Sequence, residues 1–519
     1  MNKACIVVLL LLLLLPATSL LAGGSKEAAP GQQGALTPRK GGTLVVSLNA
    51  EPTHLDHQLQ KEYNIMWATD PLNGFLLRFN KKQELEPELA TAWKVLNDKQ
   101  IQFTLRKGAK FHNGREVKAK DVKASIDRIL TNDLAANVRD WVASIKDVQV
   151  VDDYNVIINL KNPDATILGG LTMIAIIPIE VVEAQGDFKT KPVGCGPFKF
   201  DSWEKGSRVK YVRNPDYFEP GVPYLDELIF VFQPEYGAEV SSLRSGDVDI
   251  VLWLNAQDVV AWQKSMPKGI KMDDGGSIVM SFHFFGFNMA QGPFAKNEKL
   301  RLAVKYALDR QEVADIALQG TGPAKVSHIG KQSEYYIAGW EYEPNLEKAR
   351  QLLAEAGYPN GLTVDHYAPK TPLEDPMAQV FKAQLAKVGI NLDLKVLEVP
   401  TFVDICYVRK TYTTFTCGGE SFADPAIIAD NALKTGGAWN NFGFSDPQVD
   451  AWLTEARQTF DAKKRKQLYD QVEKFRIEHA APYIVCTNGT RFAGLTERVQ
   501  GWKAQNNIRY DFRPVWVSK

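Results

Sequence analysis

The chain has 519 residues, of which 45% are hydrophobic and 10% aromatic, and these proportions suit ordinary globular cores. Lysine plus arginine and aspartate plus glutamate both number 61, so the formal net charge of zero gives no electrostatic argument for nucleic acid or an anionic membrane surface as a partner. The 5 cysteines include no C-x-x-C pair, which leaves zinc ribbons and thioredoxin-like redox motifs without support.

The N-terminus has the layout of a secretory signal peptide. Lys3 supplies a positive charge, an unbroken apolar run covers Ile6–Leu15, and Pro16 followed by small residues ends that run. The run is shorter than the about 20 apolar residues that cross a bilayer. We therefore predict a cleaved signal peptide over residues 1–23, with an uncleaved anchor as the alternative, followed by a flexible tether over residues 24–40.

The end of this signal also resembles the start of a bacterial lipoprotein cleavage box, in which the next residue is a cysteine that receives lipid. Here Leu21–Gly23 is followed by Gly24, which has no thiol to acylate. The sequence supports a freely soluble mature protein over the alternative that the cysteine was lost. Export across the cytoplasmic membrane predicts a periplasmic or cell-envelope location.

The first half of the chain predicts mainly strands. Apolar and β-branched residues follow turn residues or alternate with polar ones, as they do in half-buried strands. Such segments lie at Gly41–Leu48, at Gln100–Arg106, as a strand pair within Val148–Leu160, at Arg208–Val212 and at Glu227–Phe232. Val117–Ile126 has apolar residues recurring every three to four positions, which indicates an amphipathic helix.

The pattern changes past residue 280, where helices become more frequent. Strands are predicted at His283–Asn288, Leu362–His366 and Leu392–Glu398. Helices are predicted at Lys299–Leu308, Leu346–Glu355, Met377–Val388, Asp450–Phe460 and Lys463–His479. The sequence thus has mixed α+β and α/β patterns in two large segments, without short repeats or a long disordered linker. This organisation favours a two-lobed protein with several chain crossings.

Five stretches then match a known family in the same order. The first, Ala90–Ser125, contains Q-F-T-L-R-K-G-A-K-F-H-N-G-R-E-V-K-A-K-D-V-K-A-S. The others are Pro192–Phe200 with Trp203 and Asn214–Phe218, Phe287–Arg310, Ala423–Pro425 and Asn440–Leu453. Together they resemble the family 5 extracellular solute-binding proteins, which include dipeptide-, oligopeptide- and nickel-binding subunits of bacterial ABC importers. The resemblance spans roughly residues 42–510.

The resemblance implies a mixed α/β, two-lobed fold like that of periplasmic binding proteins, with a hinge and a ligand cleft between the lobes. Lobe I would take residues 41–282, with an extra subdomain at about 76–184, and lobe II residues 283–487, before residues 488–519 return to lobe I. Such a monomer, without a cofactor, would close on a peptide-like or other polar solute and deliver it to a membrane permease. The solute would favour closure because it contacts both lobes only in the closed form.

One departure from the family pattern affects the nature of the ligand. In peptide-binding relatives, a carboxylate four residues before the proline of an Asp-Pro pair binds the peptide ammonium. Counting back from Pro425 gives Ser421, flanked by Glu420. A hydroxyl cannot neutralise a buried ammonium. Either Glu420 supplies the charge, or the ligand has no ammonium there, as in a sugar, an opine or a metal chelate.

Other candidate ligand-binding residues come from segments that face the cleft in the family. Trp439 could stack on a flat face and Asn440 could bond to polar groups. Glycine at Gly194 permits a close approach of the backbone, which extends to Cys195. Two further candidates are Trp253, after a strand near the pocket, and Phe284, in the aromatic run at the first crossing between lobes. No metal ligand is predicted.

Two other functions are alternatives to solute capture. Gly419–Ala423 imitates the start of a G-x-S-x-G nucleophile elbow centred on Ser421, with Asp446 and His479 following in hydrolase order. Ala423 stands where the last glycine belongs, so we expect no enzyme activity. A sensory protein that presents its ligand to a receptor is the other alternative. Cys406 and Cys417 are either a disulfide or free thiols on the sequence alone.

Overall fold

The structure is a computed structural model that describes residues 37–518 except 81, 83, 185–187, 275–278, 331–332, 341–342, 421–423 and 503–508. The predicted signal peptide, most of the predicted tether and Ser421 lie outside the described residues. No helix in the described part of the chain combines the length and the hydropathy needed to cross a membrane.

The strands follow one another along the whole described chain. In chain order they are Thr43–Leu48 (β1), Gly74–Phe75 (β2), Leu77–Phe79 (β3), Leu85–Pro87 (β4), Ala90–Asn97 (β5), Gln100–Leu105 (β6), Ile145–Val150 (β7), Asn155–Leu160 (β8), Ala175–Ile176 (β9), Phe198–Glu204 (β10), Arg208–Arg213 (β11), Glu227–Phe232 (β12), Ile250–Val251 (β13), Ile270–Asp273 (β14), Val279–Phe287 (β15), Leu362–Pro369 (β16), Ile390–Leu397 (β17), Thr414–Glu420 (β18), Tyr483–Thr490 (β19), Ala493–Thr496 (β20), Val499–Gln500 (β21) and Trp516–Val517 (β22).

The longer helices lie mainly after residue 290. In chain order the helices are Tyr63–Thr69 (α1), Ala119–Thr131 (α2), Ala136–Arg139 (α3), Ile167–Gly170 (α4), Ile179–Ala184 (α5), Tyr236–Ser245 (α6), Ala256–Lys264 (α7), Glu298–Ala307 (α8), Arg310–Ala317 (α9), Leu346–Glu355 (α10), Glu374–Ala386 (α11), Val399–Val403 (α12), Ala426–Ala432 (α13), Pro447–Gln458 (α14) and Ala462–His479 (α15). A π-helical segment, Asp404–Arg409, continues α12. Single 3₁₀ turns lie at His57–Leu59, Asp70–Leu72, Asp133–Ala135, Asp140–Val142 and Leu171–Met173.

Two large sheets organise the described residues. The first sheet has the order β10-β11-β12-β1-β13-β20-β14, and the second has the order β17-β16-β18-β15-β19. In the second sheet successive side chains of β15 enter different cores, as the two-residue period of a strand requires: Phe284 joins one apolar cluster and Phe285 the other. Each predicted strand and helix is found in the structure, so these predictions are confirmed, with shifts at the ends of the elements.

A third sheet, of order β5-β6-β8-β7, lies within the predicted extra subdomain. Helix α2 packs its apolar face onto this sheet, where Val122 and Ile126 join Phe103 and Ile158 in a separate buried cluster. The predicted helix Val117–Ile126 thus begins two residues later and is longer than expected. The boundaries proposed for the subdomain remain a prediction.

The chain passes between the two large sheets along two neighbouring strands. Strands β15 and β19 are antiparallel partners, with Phe282 opposite Asn488. After β19 the chain enters β20, which belongs to the first sheet. The predicted lobe boundaries, at residues 282/283 and 487/488, fall inside these two strands. Those boundaries remain a prediction.

A buried carboxylate fastens the returning chain to the first sheet. Asp249 is completely buried and accepts hydrogen bonds from the backbone N–H of Val45 at 2.9 Å and from the Thr496 hydroxyl at 3.0 Å. Its two oxygens also lie 2.5 and 2.6 Å from the guanidinium of Arg498. One side chain therefore joins β1 and β13 to the segment that follows the second crossing.

We expect Asp249→Ala to lower the free energy of unfolding in urea by about 2–4 kcal/mol, because it leaves a buried N–H and part of a guanidinium without a partner. Asp247→Ala, which removes an exposed carboxylate two residues away, is the matched control and should change stability by about 0.5 kcal/mol or less. A loss below about 1 kcal/mol in Asp249→Ala would contradict this role.

Candidate ligand-binding cleft

An ion pair lies where the two large sheets meet. Glu420 ends β18 of the second sheet, and Arg491 stands between β19 and β20, on the second crossing. Arg491 Nη2 donates to Glu420 Oε1 at 3.0 Å, with side chains that are 6% and 28% exposed. Ser281 of β15 lies opposite Glu420, so the first crossing runs between the two partners. The two strands on which the chain crosses between the sheets therefore fix the position of this ion pair.

Aromatic side chains surround this ion pair. The Arg491 guanidinium lies 4.1 Å from the ring centroid of Trp253, which is 53% exposed. Tyr63 stacks on Trp67 with 5.7 Å between the ring centroids, and the ring centroids of Trp67 and Tyr510 are also 5.7 Å apart. Flat rings beside a cation favour solutes with planar or apolar parts.

Burial governs the charge of Glu420. Desolvation raises its pKa above the ordinary value, while the neighbouring Arg491 and His283 side chains oppose that rise. His283 Nδ1 lies 3.2 Å from Glu374 Oε1, and although burial acts to raise it, the pKa of Glu374 is lowered, chiefly by the interaction with His283. The site therefore combines partly buried charges of both signs.

A cavity of about 540 Å³ has a lining that includes Asp424, four residues after Glu420. The lining combines Trp141 and Met173, from the segments around the third sheet, with Ile427 and Trp439. Thr172, next to Met173, accepts a hydrogen bond through its backbone oxygen from Arg509 at 2.5 Å. Residues from distant parts of the chain thus enclose a space large enough for a small solute.

Arg457 of α14 connects the two parts of this lining. Its guanidinium lies 3.1 Å from Asp164 and 3.1 Å from Asp430 of α13. Its backbone oxygen also accepts a hydrogen bond from the N–H of Ala165 at 2.7 Å. Burial raises the pKa of Asp430 to about 6, although Arg457 and Lys434 act to lower it.

The structure brings some of the sequence-predicted site residues to these regions. Glu420 and Trp253 both contact Arg491, and Trp439 lines the cavity with 44% of its surface exposed. Asn440, next to Trp439, is 6% exposed, and its amide bonds to backbone groups of Lys434 and Phe444 in its own loop. Ser421 lies outside the described residues.

The remaining predicted site residues lie in the interior. Cys195 is fully buried, and burial raises the pKa of its thiol. Gly194 packs so closely on the backbone of Leu72 that an added Cβ would lie 2.0 Å from its oxygen. Phe284 is 6% exposed and packs among other aromatic rings. The close backbone approach expected at Gly194 is therefore to the protein itself.

The residues of the hydrolase alternative have other partners. Asp446 caps the N-terminus of α14 by accepting from the N–H groups of Gln448 and Val449. His479, at the end of α15, lies 2.9 Å from Glu298. Cys406 and Cys417 are free thiols, and the Tyr407 hydroxyl lies 3.0 Å from Cys417 Sγ. Among the described residues, no group of three or more His, Cys, Asp or Glu is placed to hold a metal ion.

Sequence reasoning missed Arg491, Asp430 and Arg457. A signal for Arg491 was present, since a lone charged residue between two apolar strands, at a crossing between sheets, is costly unless it is paired or functional. A signal for Asp430 was also present, since it is the one charged residue of the largely buried helix α13. Arg457 lies on a helix with other charged residues, and nothing in its local sequence distinguishes it from a solvated residue.

Comparison with known proteins identifies the family. The family described as bacterial extracellular solute-binding proteins, family 5 middle, matches residues 84–471. Heme-binding protein A of Haemophilus influenzae is 29% identical over 84% of this chain and 85% of its own length, and oligopeptide-binding protein AppA of Bacillus subtilis is 27% identical over 93% of each. The structure of HbpA2 from Haemophilus parasuis superposes with a TM-score of 0.83 at 26% identity, covering 92% of this chain and 100% of that one.

These similarities confirm the predicted two-lobed, periplasmic-binding-protein-like fold and the predicted role in solute capture for ABC import. The family is one of transport rather than catalysis. The chain belongs to the bacterial extracellular solute-binding proteins of family 5.

Proposed function

We propose that this protein acts outside the cytoplasmic membrane as a monomer that captures a short, zwitterionic peptide and delivers it unaltered to the permease of an ABC importer. The observation that carries the proposal is the ion pair between Glu420 and Arg491 where the two sheets meet. The similarity to an oligopeptide-binding protein over 93% of the chain supports peptides as the solute class.

The ion pair offers one partner for each end of such a solute. Glu420 is an acceptor for an ammonium, and it stands beside the position where relatives carry their ammonium-binding carboxylate. Arg491 has five N–H donors in a planar fork. One bonds to Glu420 and the Tyr510 hydroxyl interacts with the same guanidinium, whereas Nη1 has no hydrogen-bond partner among the described residues and is suited to a carboxylate. Glu420 thus supplies the charge that the serine at 421 lacks.

The ion pair at the crossings holds the solute, and closure follows when that solute also contacts the walls of the cleft. A peptide that contacts residues of both sheets stabilises the closed form by the difference between its affinities for the two forms. Capture at a micromolar dissociation constant corresponds to about 8 kcal/mol of binding free energy. Two charge-assisted contacts, worth about 1.5–3 kcal/mol each, together with burial of apolar parts on the aromatic rings, are sufficient for that affinity.

We expect Glu420→Gln to weaken binding of tripeptides with a free N-terminus by at least about 10-fold, because a neutral amide cannot pair with a buried ammonium. The same variant should bind N-acetylated tripeptides about as wild type does. Isothermal titration calorimetry on both peptide series measures the effect, and circular dichroism checks folding. Glu398→Gln, an exposed carboxylate in the same half of the chain, is the control.

Equal affinity of wild type for free and acetylated peptides would contradict the role of Glu420. Binding of heme, a sugar or a nickel chelate with no binding of any peptide would contradict the peptide assignment itself.

Trp253 should report binding, because its indole lies directly beneath the Arg491 guanidinium. Of the 11 tryptophans, we expect Trp253 to account for most of the fluorescence change on adding a peptide that wild type binds. Trp253→Phe should remove at least half of that change. Trp340 lies beside Lys474 and not beside Arg491, so Trp340→Phe should preserve the change. A full signal in Trp253→Phe would show that the solute binds elsewhere.

A further inference from the structure

We propose that the cavity between Trp141 and Trp439 is a second subsite, which takes a cationic side chain, guanidinium or ammonium, of the solute held at Glu420 and Arg491. This inference rests on the proposed function and specifies its substrate: short peptides that contain a basic residue.

The walls of the cavity suit the flat or apolar part of such a side chain. The cavity measures about 540 Å³, and Trp141, Trp439, Met173 and Ile427 all line it. A guanidinium near an indole face gains about 0.5–2 kcal/mol. The aliphatic stem of arginine or lysine would cover the remaining apolar surface.

The charges around the cavity favour a cation. Arg457 is already shared between Asp164 and Asp430, and Asp424 pairs with Arg465 at 2.7 Å. Asp140 adds a further carboxylate to the lining. The described lining and its ion-pair partners thus include four carboxylates, of Asp140, Asp164, Asp424 and Asp430, and two guanidiniums, of Arg457 and Arg465. The nearby Lys434 only partly offsets this excess of negative charge. An anion would meet repulsion here.

Asp430 is a carboxylate of this cavity that is only partly paired. It lines the cavity, its side chain is 7% exposed, and its Oδ2 accepts from Arg457 at 3.1 Å. Its Oδ1 has no hydrogen-bond partner among the residues that the structure describes. A buried carboxylate oxygen without a donor is costly, and a ligand N–H that reached it as the side chains around the cavity adjust would satisfy it. The raised pKa of Asp430 agrees with this incomplete compensation.

The separation of the two subsites fits a short peptide. Glu420 belongs to the ion pair and Asp424 to the cavity lining, and they are four residues apart in the chain. Four residues span at most about 14 Å when fully extended. A tripeptide with a long side chain covers that distance, so a peptide whose backbone binds at Glu420 can place its side chain at the Asp424 end of the cavity.

The test compares the tripeptides Ala-X-Ala, in which X is arginine, lysine, citrulline or glutamate, by calorimetry at pH 7.5. Citrulline has nearly the shape of arginine but no charge. We expect wild type to bind the arginine peptide at least about 10-fold more tightly than the citrulline peptide. In Asp430→Asn this ratio should fall below about 3. Glu455→Gln, which removes an exposed charge from α14 outside the cavity, should leave the ratio unchanged.

Asp430 also makes the preference depend on pH. A proton and the ligand cation compete for the same carboxylate, so the arginine preference of wild type should decline as the pH falls through about 6. The groups that face Asp430, namely Asp424, Arg457 and Lys434, remain in the variant, and Asp430→Asn should show no such decline. The variant should also unfold at a temperature about 2–4 °C higher at pH 7.5, since it lacks a desolvated charge.

Equal wild-type affinity for the arginine and citrulline peptides, with binding otherwise intact, would overturn the cationic subsite and leave peptide capture standing. A ratio that is unchanged in Asp430→Asn would also overturn it. Failure of every tripeptide to bind would remove the proposed function together with this inference.

Discussion

The pairing of β15 with β19 is the constraint on which the rest of the structure depends. These antiparallel strands carry the chain into and out of the second sheet side by side, so the two sheets are connected along a single line. Motion about such a line changes the distance between the walls of the cleft and leaves both hydrophobic cores intact. The ion pair of Glu420 and Arg491 lies at this line because each residue ends or follows a strand that borders β15.

This position explains how a small ligand can control a large rearrangement. Groups close to the line of crossing move little on closure, so in the binding mode that we propose Glu420, Arg491 and Trp253 would hold a solute in both forms. Trp141 and Trp439 lie on separate segments and would meet the solute together only when the walls are close. In this proposal, affinity gained at the walls, rather than at the ion pair, determines the population of the closed form.

The sequence predicted elements well where burial is periodic over a long segment. The helix expected at Lys463–His479 is found at Ala462–His479, and the strand expected at Gln100–Arg106 ends one residue earlier. Site residues were harder to predict, because their role depends on partners that are distant in sequence. Arg457 bonds to Asp164 across 293 positions, a pairing that no local pattern contains. The amide of Asn440 suits a ligand by type, but its own loop uses it.

Two buried carboxylates show how the fold separates structural from functional charge. Asp249 is surrounded by donors from a backbone N–H, a hydroxyl and a guanidinium, so its charge is fully compensated before any ligand arrives. Asp430 shares one guanidinium with another carboxylate and keeps one oxygen without a donor. A group that stabilises the fold has no need of further partners, whereas an incompletely paired one gains stability when a complementary group binds. The difference in compensation, rather than burial itself, distinguishes the carboxylate that stabilises the sheet from the one that we propose binds a solute.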